Sequence, residues 1–151
     1  MVHTLRADGA SAPLAPGDLL AELNRTAQRV AGERQVRVDL PGLAPAVSRD
    51  AELALVRIAQ EALTNVVLHS GADSLNLSLR EVEGSVLLDV VDPGPALERA
   101  VSDGSGGNGL VHMRERALAV GGNLRVGPDG EGWRVSARVP LAIANEGDGR
   151  G

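Results

Sequence analysis

The sequence predicts an α+β fold: a two-layer α/β sandwich in which about three helices cover one face of a mixed, mostly antiparallel sheet of about five strands. The first observation behind this is the order of apolar periodicities, which runs helix, strand, helix, two strands, glycine-rich stretch, helix, two strands. The second is size. The chain has 151 residues, is 43% hydrophobic and has a mean hydropathy of −0.02, which suits one soluble domain with a single core. The third is the makeup of that core: Tyr and Phe are absent and Trp133 is the only aromatic residue, so Leu, Val, Ile and Ala must fill the interior.

Residues 1–17, with the stretch SAPLAPG, read as a lead-in. Asp18 offers an N-cap to a first helix whose Leu19, Leu20, Leu23, Ala27 and Val30 recur at helical spacing, and Gly32 ends it. QVRVDL alternates Val36, Val38 and Leu40 as a short strand before the Pro41-Gly42 turn. Ser48 can cap a long second helix that carries Asp50 and Glu52 in its first turn and Gly71 after its end. Leu55, Ile58, Ala59, Ala62 and Val66 form its buried stripe, widened by Val56, Leu63 and Val67. Within it, IAQEALTNVVLHSGA places Glu61, Asn65 and His69 at i, i+4 and i+8 along one border of the stripe, where a core ends and a pocket can begin.

SLNLSLR and SVLLDVV follow as two strands joined through Glu83-Gly84. The segment from Asp92 to Gly109 shows little periodicity, and loops of this length in a compact domain are usually functional or mobile. A third helix is expected over Leu110–Val120, stopped by Gly121-Gly122. Two last strands flank GPDGEG, and Trp133, Val135, Ala137 and Val139 alternate toward one face. The domain is expected to span 18–141, with a disordered tail over 142–151.

Composition excludes several functions. A net charge of −5 with no basic run, and no aromatic platforms, argues against nucleic-acid binding. The absence of Cys removes disulfides, thiolate nucleophiles and Cys-ligated zinc, and leaves the redox compartment open. His3, His69 and His112 are too scattered to read as a metal site. No segment has the length and apolarity of a membrane span, and the N-terminus lacks a signal-peptide core, so a cytoplasmic location without membrane contact is expected, though a parent protein can carry its own anchor. All 15 basic residues are Arg, which removes Schiff-base chemistry, Walker-A sites and the lysine of eukaryotic-type kinases.

Three blocks in order then carry a resemblance: QEALTNVVLHSGA looks like an N box, DVVDPGP like a first glycine box, and GNGLVHMRERA like a second glycine box and its helix. Over roughly residues 18–141 the chain resembles the ATP-binding catalytic domain of sensor histidine kinases, the GHKL or Bergerat fold, and especially kinases of the NarL/DesK-like type. The resemblance implies ATP and Mg²⁺ as ligands. Asn65 matches the residue that coordinates Mg²⁺, for which a neutral amide oxygen suits an ion that keeps its waters and takes its charge balance from phosphates. Glu61 matches the base or orienting residue. His69 has two readings, a phosphate contact or a helix-end cation favoured by the dipole. Asp92 resembles the aspartate that accepts the adenine N6 hydrogen, with Gly94 letting the backbone pass close to the base. Gly107 and Gly109 match the glycines whose N–H groups wrap phosphates at the start of the helix led by Leu110.

Some positions depart from the family pattern. Leu68 stands where Arg or Lys is common, Ala96 where the first glycine box ends in Gly, Trp133 where a Thr follows the hairpin Gly, and His112 where a Gly is common. No block of the E/R-L-H-[DE] type precedes residue 18, so the resemblance implies a catalytic module that acts on a His of a separate dimerisation and phosphoacceptor domain, is monomeric and does not phosphorylate itself when isolated, and signals indirectly to a NarL/LuxR-type response regulator. Two alternatives stay open: a nucleotide-binding-impaired module that acts by protein interaction, and a serine kinase of the anti-sigma-factor type.

Overall fold

The structure, a computed structural model, describes residues 18–69, 73–94 and 107–142. The elements are α1 (Leu19–Ala31), β1 (Gln35–Asp39), α2 (Arg49–His69), β2 (Ser74–Val82), β3 (Ser85–Asp92), α3 (Gly107–Ala119), β4 (Asn123–Asp129) and β5 (Gly132–Pro140). The strands form one five-stranded sheet in the order β1-β2-β3-β5-β4. Only β1 and β2 run parallel; α2 is the crossover between them, as a parallel pair requires. The remaining pairs are antiparallel. The expected α+β sandwich is therefore the observed fold.

Local chemistry explains most of the boundaries. Ser48 caps α2, its Oγ accepting the Ala51 N–H at 3.0 Å. Ser48→Ala is expected to cost about 1 kcal/mol and to lower the melting temperature by roughly 4 °C in a thermal scan. Asp18 behaves differently from expectation: its side chain makes no cap hydrogen bond, because the residue already has helical φ and ψ of −85° and 0° and only its carbonyl accepts, from Glu22 N–H at 2.9 Å. A capping carboxylate needs the extended backbone that turns it back over the first turn. In that first turn Glu22 meets Arg25 at 2.6 Å, and this hydrogen bond and charge raise the Arg25 guanidinium above its ordinary pKa.

The Glu83-Gly84 turn takes positive φ at both residues, 45° and 81°, which is the twist that joins β2 and β3 in a tight hairpin. At its far end α3 closes with Gly121 N–H donating to Leu118 O at 3.0 Å and Gly122 N–H to Ala117 O at 2.8 Å, a Schellman pattern. Its start differs from expectation, since the helix begins at Gly107 rather than Leu110 and takes both glycines into its first turn. Residues 95–106, including Ala96, and residues 1–17, 70–72 and 143–151 lie outside the described residues.

One face of the sheet carries Leu75, Leu77, Leu79, Val86, Leu88 and Val90, all 2% exposed or less, against the buried faces of the helices. The α2 stripe is buried as expected from Leu55 to Val66, and Met113 and Ala117 bring α3 onto the same core. Among the described residues no helix is long and apolar enough to cross a membrane.

Candidate functional site

The candidate residues fall into two clusters, one between α2 and the start of α3 and one at the end of β3. Glu61 and Asn65 project from one side of α2, one turn apart, and both are half-buried. They face Gly109 in the first turn of α3. A Cβ placed on Gly109 would come within 2.5 Å of the Glu61 Oε2 and 3.4 Å of the Asn65 Nδ2. Gly109 itself is buried. The two polar side chains thus reach the end of α3 where free backbone N–H groups and the positive end of the helix dipole lie. Gly107 opens that turn, and Leu110 is half-buried and anchors it to the core. α2 ends at His69, whose side chain lies outside the described residues. Leu68 is 64% exposed and supplies no cation there, and His112 is exposed on α3.

The second cluster closes the end of β3. Asp92 is 1% exposed, and its Oδ1 accepts the Gly94 N–H at 2.8 Å. Gly94 has φ of 92°, and a side chain there would run into the Glu131 carbonyl. Across the sheet, Asp92 is paired in register with Trp133 of β5, and Gly132 leaves no room for a Cβ against the Asp92 carbonyl. Glycines at 94 and 132 let two backbones close around the aspartate and fix the direction of its carboxylate. In GPDGEG the local chemistry of Gly132 reads as turn punctuation, and it was the resemblance that set the hairpin Gly beside the Asp92 position. Trp133, half-buried and packed against the core, is the cross-strand neighbour of Asp92.

These parts have distinct capacities. A buried carboxylate with a fixed orientation presents acceptors to an amino group. A glycine-bearing helix start offers N–H groups to an anion. A half-buried amide oxygen suits an ion that retains most of its water shell, and among the described residues no group of three or more His, Cys, Asp or Glu forms a self-sufficient metal cage. The chemistry of the donor set therefore fits Mg²⁺ brought in with phosphates.

The fold and these two clusters suit a nucleotide-binding domain of the ATPase type. Residues 50–143 match the family described as histidine kinase-, DNA gyrase B- and HSP90-like ATPase, and the chain belongs to that family. Among curated proteins it is 31% identical to the sensor histidine kinase MctS of Rhizobium johnstonii, over 70% of this chain and 23% of that protein. It is 34% identical to the sensor histidine kinase LiaS of Bacillus subtilis, over 68% of this chain and 29% of that protein. The chain thus spans less than a third of the length of these relatives. Among solved structures, the histidine kinase domain from the Erythrobacter litoralis EL346 blue-light activated histidine kinase superposes with a TM-score of 0.67 at 23% identity, covering 90% of this chain and 68% of that one, which is a likeness of fold.

Proposed function

We propose that the chain is the ATP·Mg²⁺-binding catalytic domain of a two-component sensor histidine kinase of the NarL/DesK-like type, and that it transfers the γ-phosphoryl group to a His on a separate dimerisation domain. The observation that carries this reading is the convergence of Glu61 and Asn65 on Gly109 at the start of α3. Nucleotide phosphates placed there meet N–H donors from α3 and the Asn65 amide of α2 in one small space.

In this reading Asp92 accepts the N6 amino hydrogen of adenine, held in direction by Gly94. Guanine presents a carbonyl oxygen at the same position and is rejected because two acceptors would face each other. Asn65 holds Mg²⁺, which supplies charge neutralisation on the phosphates. Gly107 and Gly109 keep the backbone of the first turn of α3 open to the phosphates, with Leu110 anchoring that turn. In this reading His69 takes the phosphate-contact role. Glu61 orients the incoming imidazole and takes its proton as the new N–P bond forms and the bond between Pγ and the bridging oxygen breaks, releasing ADP. The domain works in the cytoplasm, where its nucleotide and a NarL/LuxR-type regulator are found, and it is a monomer when separated from its dimerisation domain.

Calorimetric titration of ADP and ATP, with and without Mg²⁺, tests this, with Trp133 emission as a second probe. Binding is expected to saturate and to depend on Mg²⁺. Asp92→Ala should weaken it at least about a hundredfold, because a carboxylate-to-amine contact is lost from a buried site. Asn65→Ala should weaken it roughly tenfold and remove most of the Mg²⁺ dependence. A second reading, a nucleotide-impaired module that acts by protein contact, is favoured by Leu68 at 64% exposure in place of a cation and by Trp133 facing Asp92. No heat of binding at millimolar nucleotide would select that second reading.

A further inference from the structure

The nucleotide site uses the helix-covered side of the sheet, and the opposite side has an unusual charge distribution. In a chain of net charge −5, the alternate strand positions facing away from the helices carry Arg37, Arg80, Arg125, Arg134 and Arg138 against three aspartates, Asp39, Asp89 and Asp129. Two of these carboxylates are already compensated. Asp89, only 4% exposed, accepts a hydrogen bond from the Ser136 hydroxyl and pairs with Arg134 at 3.3 Å, and Arg134 also reaches Asp129 at 3.4 Å. Among the described residues Arg37, Arg80, Arg125 and Arg138 make no ion pair.

The register sets these cations around two apolar residues of β3, Leu87 and Val91, with the buried and paired Asp89 between them. On β3, Leu87 lies directly between Arg80 of β2 and Arg138 of β5, and Val91 lies between Asn76 and Arg134. Leu87 and Val91 are both half-buried on a side where an isolated sheet face would ordinarily be polar. Beside them, Arg37, Asp39, Asn76 and Ser78 line an open concavity of about 520 Å³. Asn76 and Ser78 are the direct cross-strand neighbours of Val91 and Asp89, so the concavity extends from them toward the β1 edge.

We propose that this sheet face, which no helix among the described residues covers, docks an acidic amphipathic helix of a partner protein, with its apolar side on Leu87 and Val91 and its carboxylates on the flanking arginines. Leu87 and Val91 lie about 13 Å apart at strand spacing, and apolar residues two turns apart on a helix lie about 11 Å apart, so one helix laid along β3 engages both. Arginine forks match carboxylates two bonds at a time. Aspartates interspersed among the arginines weaken attraction for a uniformly anionic surface such as a lipid bilayer or a duplex, and the two apolar residues have no use there. This inference does not depend on the nucleotide reading.

The test titrates the ¹⁵N-labelled chain with a synthetic 18-residue helical peptide bearing a leucine stripe flanked on both sides by glutamates. The controls are the same peptide with lysines for glutamates, and phosphatidylserine vesicles. Amide shifts confined to β2, β3 and β5 are expected with the glutamate peptide only. The affinity should fall roughly tenfold or more in the double variant Arg80→Glu/Arg138→Glu, fall also in Leu87→Ser, and stay unchanged in Arg29→Glu on α1. The amide spectrum of each variant reports that its fold is kept. Shifts that are absent at millimolar peptide, that scatter over the helices, or that appear equally with the lysine peptide overturn the proposal, and so does equal or tighter binding to the vesicles.

Discussion

Gly109→Ala is expected to lower phosphoryl transfer to a phosphoacceptor domain supplied in trans by about a hundredfold while leaving the fold unharmed. Helix propensity alone predicts the opposite sign of concern, since Ala in place of Gly inside a helix is worth about 1 kcal/mol of stabilisation. What decides the outcome is Glu61. The new methyl group would stand 2.5 Å from its Oε2, well inside contact distance, so the carboxylate swings away, as the free end of a flexible side chain can. On the proposed mechanism Glu61 meets the reacting atoms, and a displacement of about 1 Å at such a group costs roughly two orders of magnitude in rate. The melting temperature should therefore hold or rise slightly as turnover falls. A variant that transfers phosphate at the parent rate would show that Glu61 has no part in the chemistry.

Gly132→Ala is expected to be among the most damaging single substitutions in the sheet, with a loss of about 3 kcal/mol and a fall in melting temperature of roughly 10 °C. Here the obstacle is backbone: the added Cβ would collide with the Asp92 carbonyl and crowd the Gly94 nitrogen. Relief requires β3 and β5 to separate at their paired ends, which also turns the Asp92 carboxylate away from the direction set by Gly94. Denaturant melts and nucleotide calorimetry on the same sample should show stability and affinity falling together. Retained stability would mean that the two strand ends can part without cost to the domain.

The two glycines also mark how far the sequence can be read. The row of Glu61 and Asn65 was legible because helical spacing is a local property: two residues four apart on α2 share a face whatever surrounds them. The strands were legible for the same reason, through alternation along β2, β3 and β5, and so was the Ser48 cap. The start of α3 was misplaced because glycine's poor propensity marks a loop by local criteria, whereas Leu110, Met113 and Ala117 dock the helix on the core and draw Gly107 and Gly109 into its first turn. Asp18 holds the N-cap position as read, but its side chain makes no cap bond because its backbone is already helical.

By itself, then, the sequence determined the order and type of the elements, the two-layer α+β arrangement and the polar border of α2, all of which rest on periodicities a few residues long. Only the tertiary structure decided which distant residues meet: Gly109 against Glu61, Gly132 against Asp92, and Arg80 and Arg138 on either side of Leu87. Gly109 meets Glu61 because α3 packs on α2, and Gly132 and Arg138 reach β3 because β5 inserts between β3 and β4 in the sheet. That placement is selected by the burial of whole faces and the closure of long loops, and no short window of sequence records it.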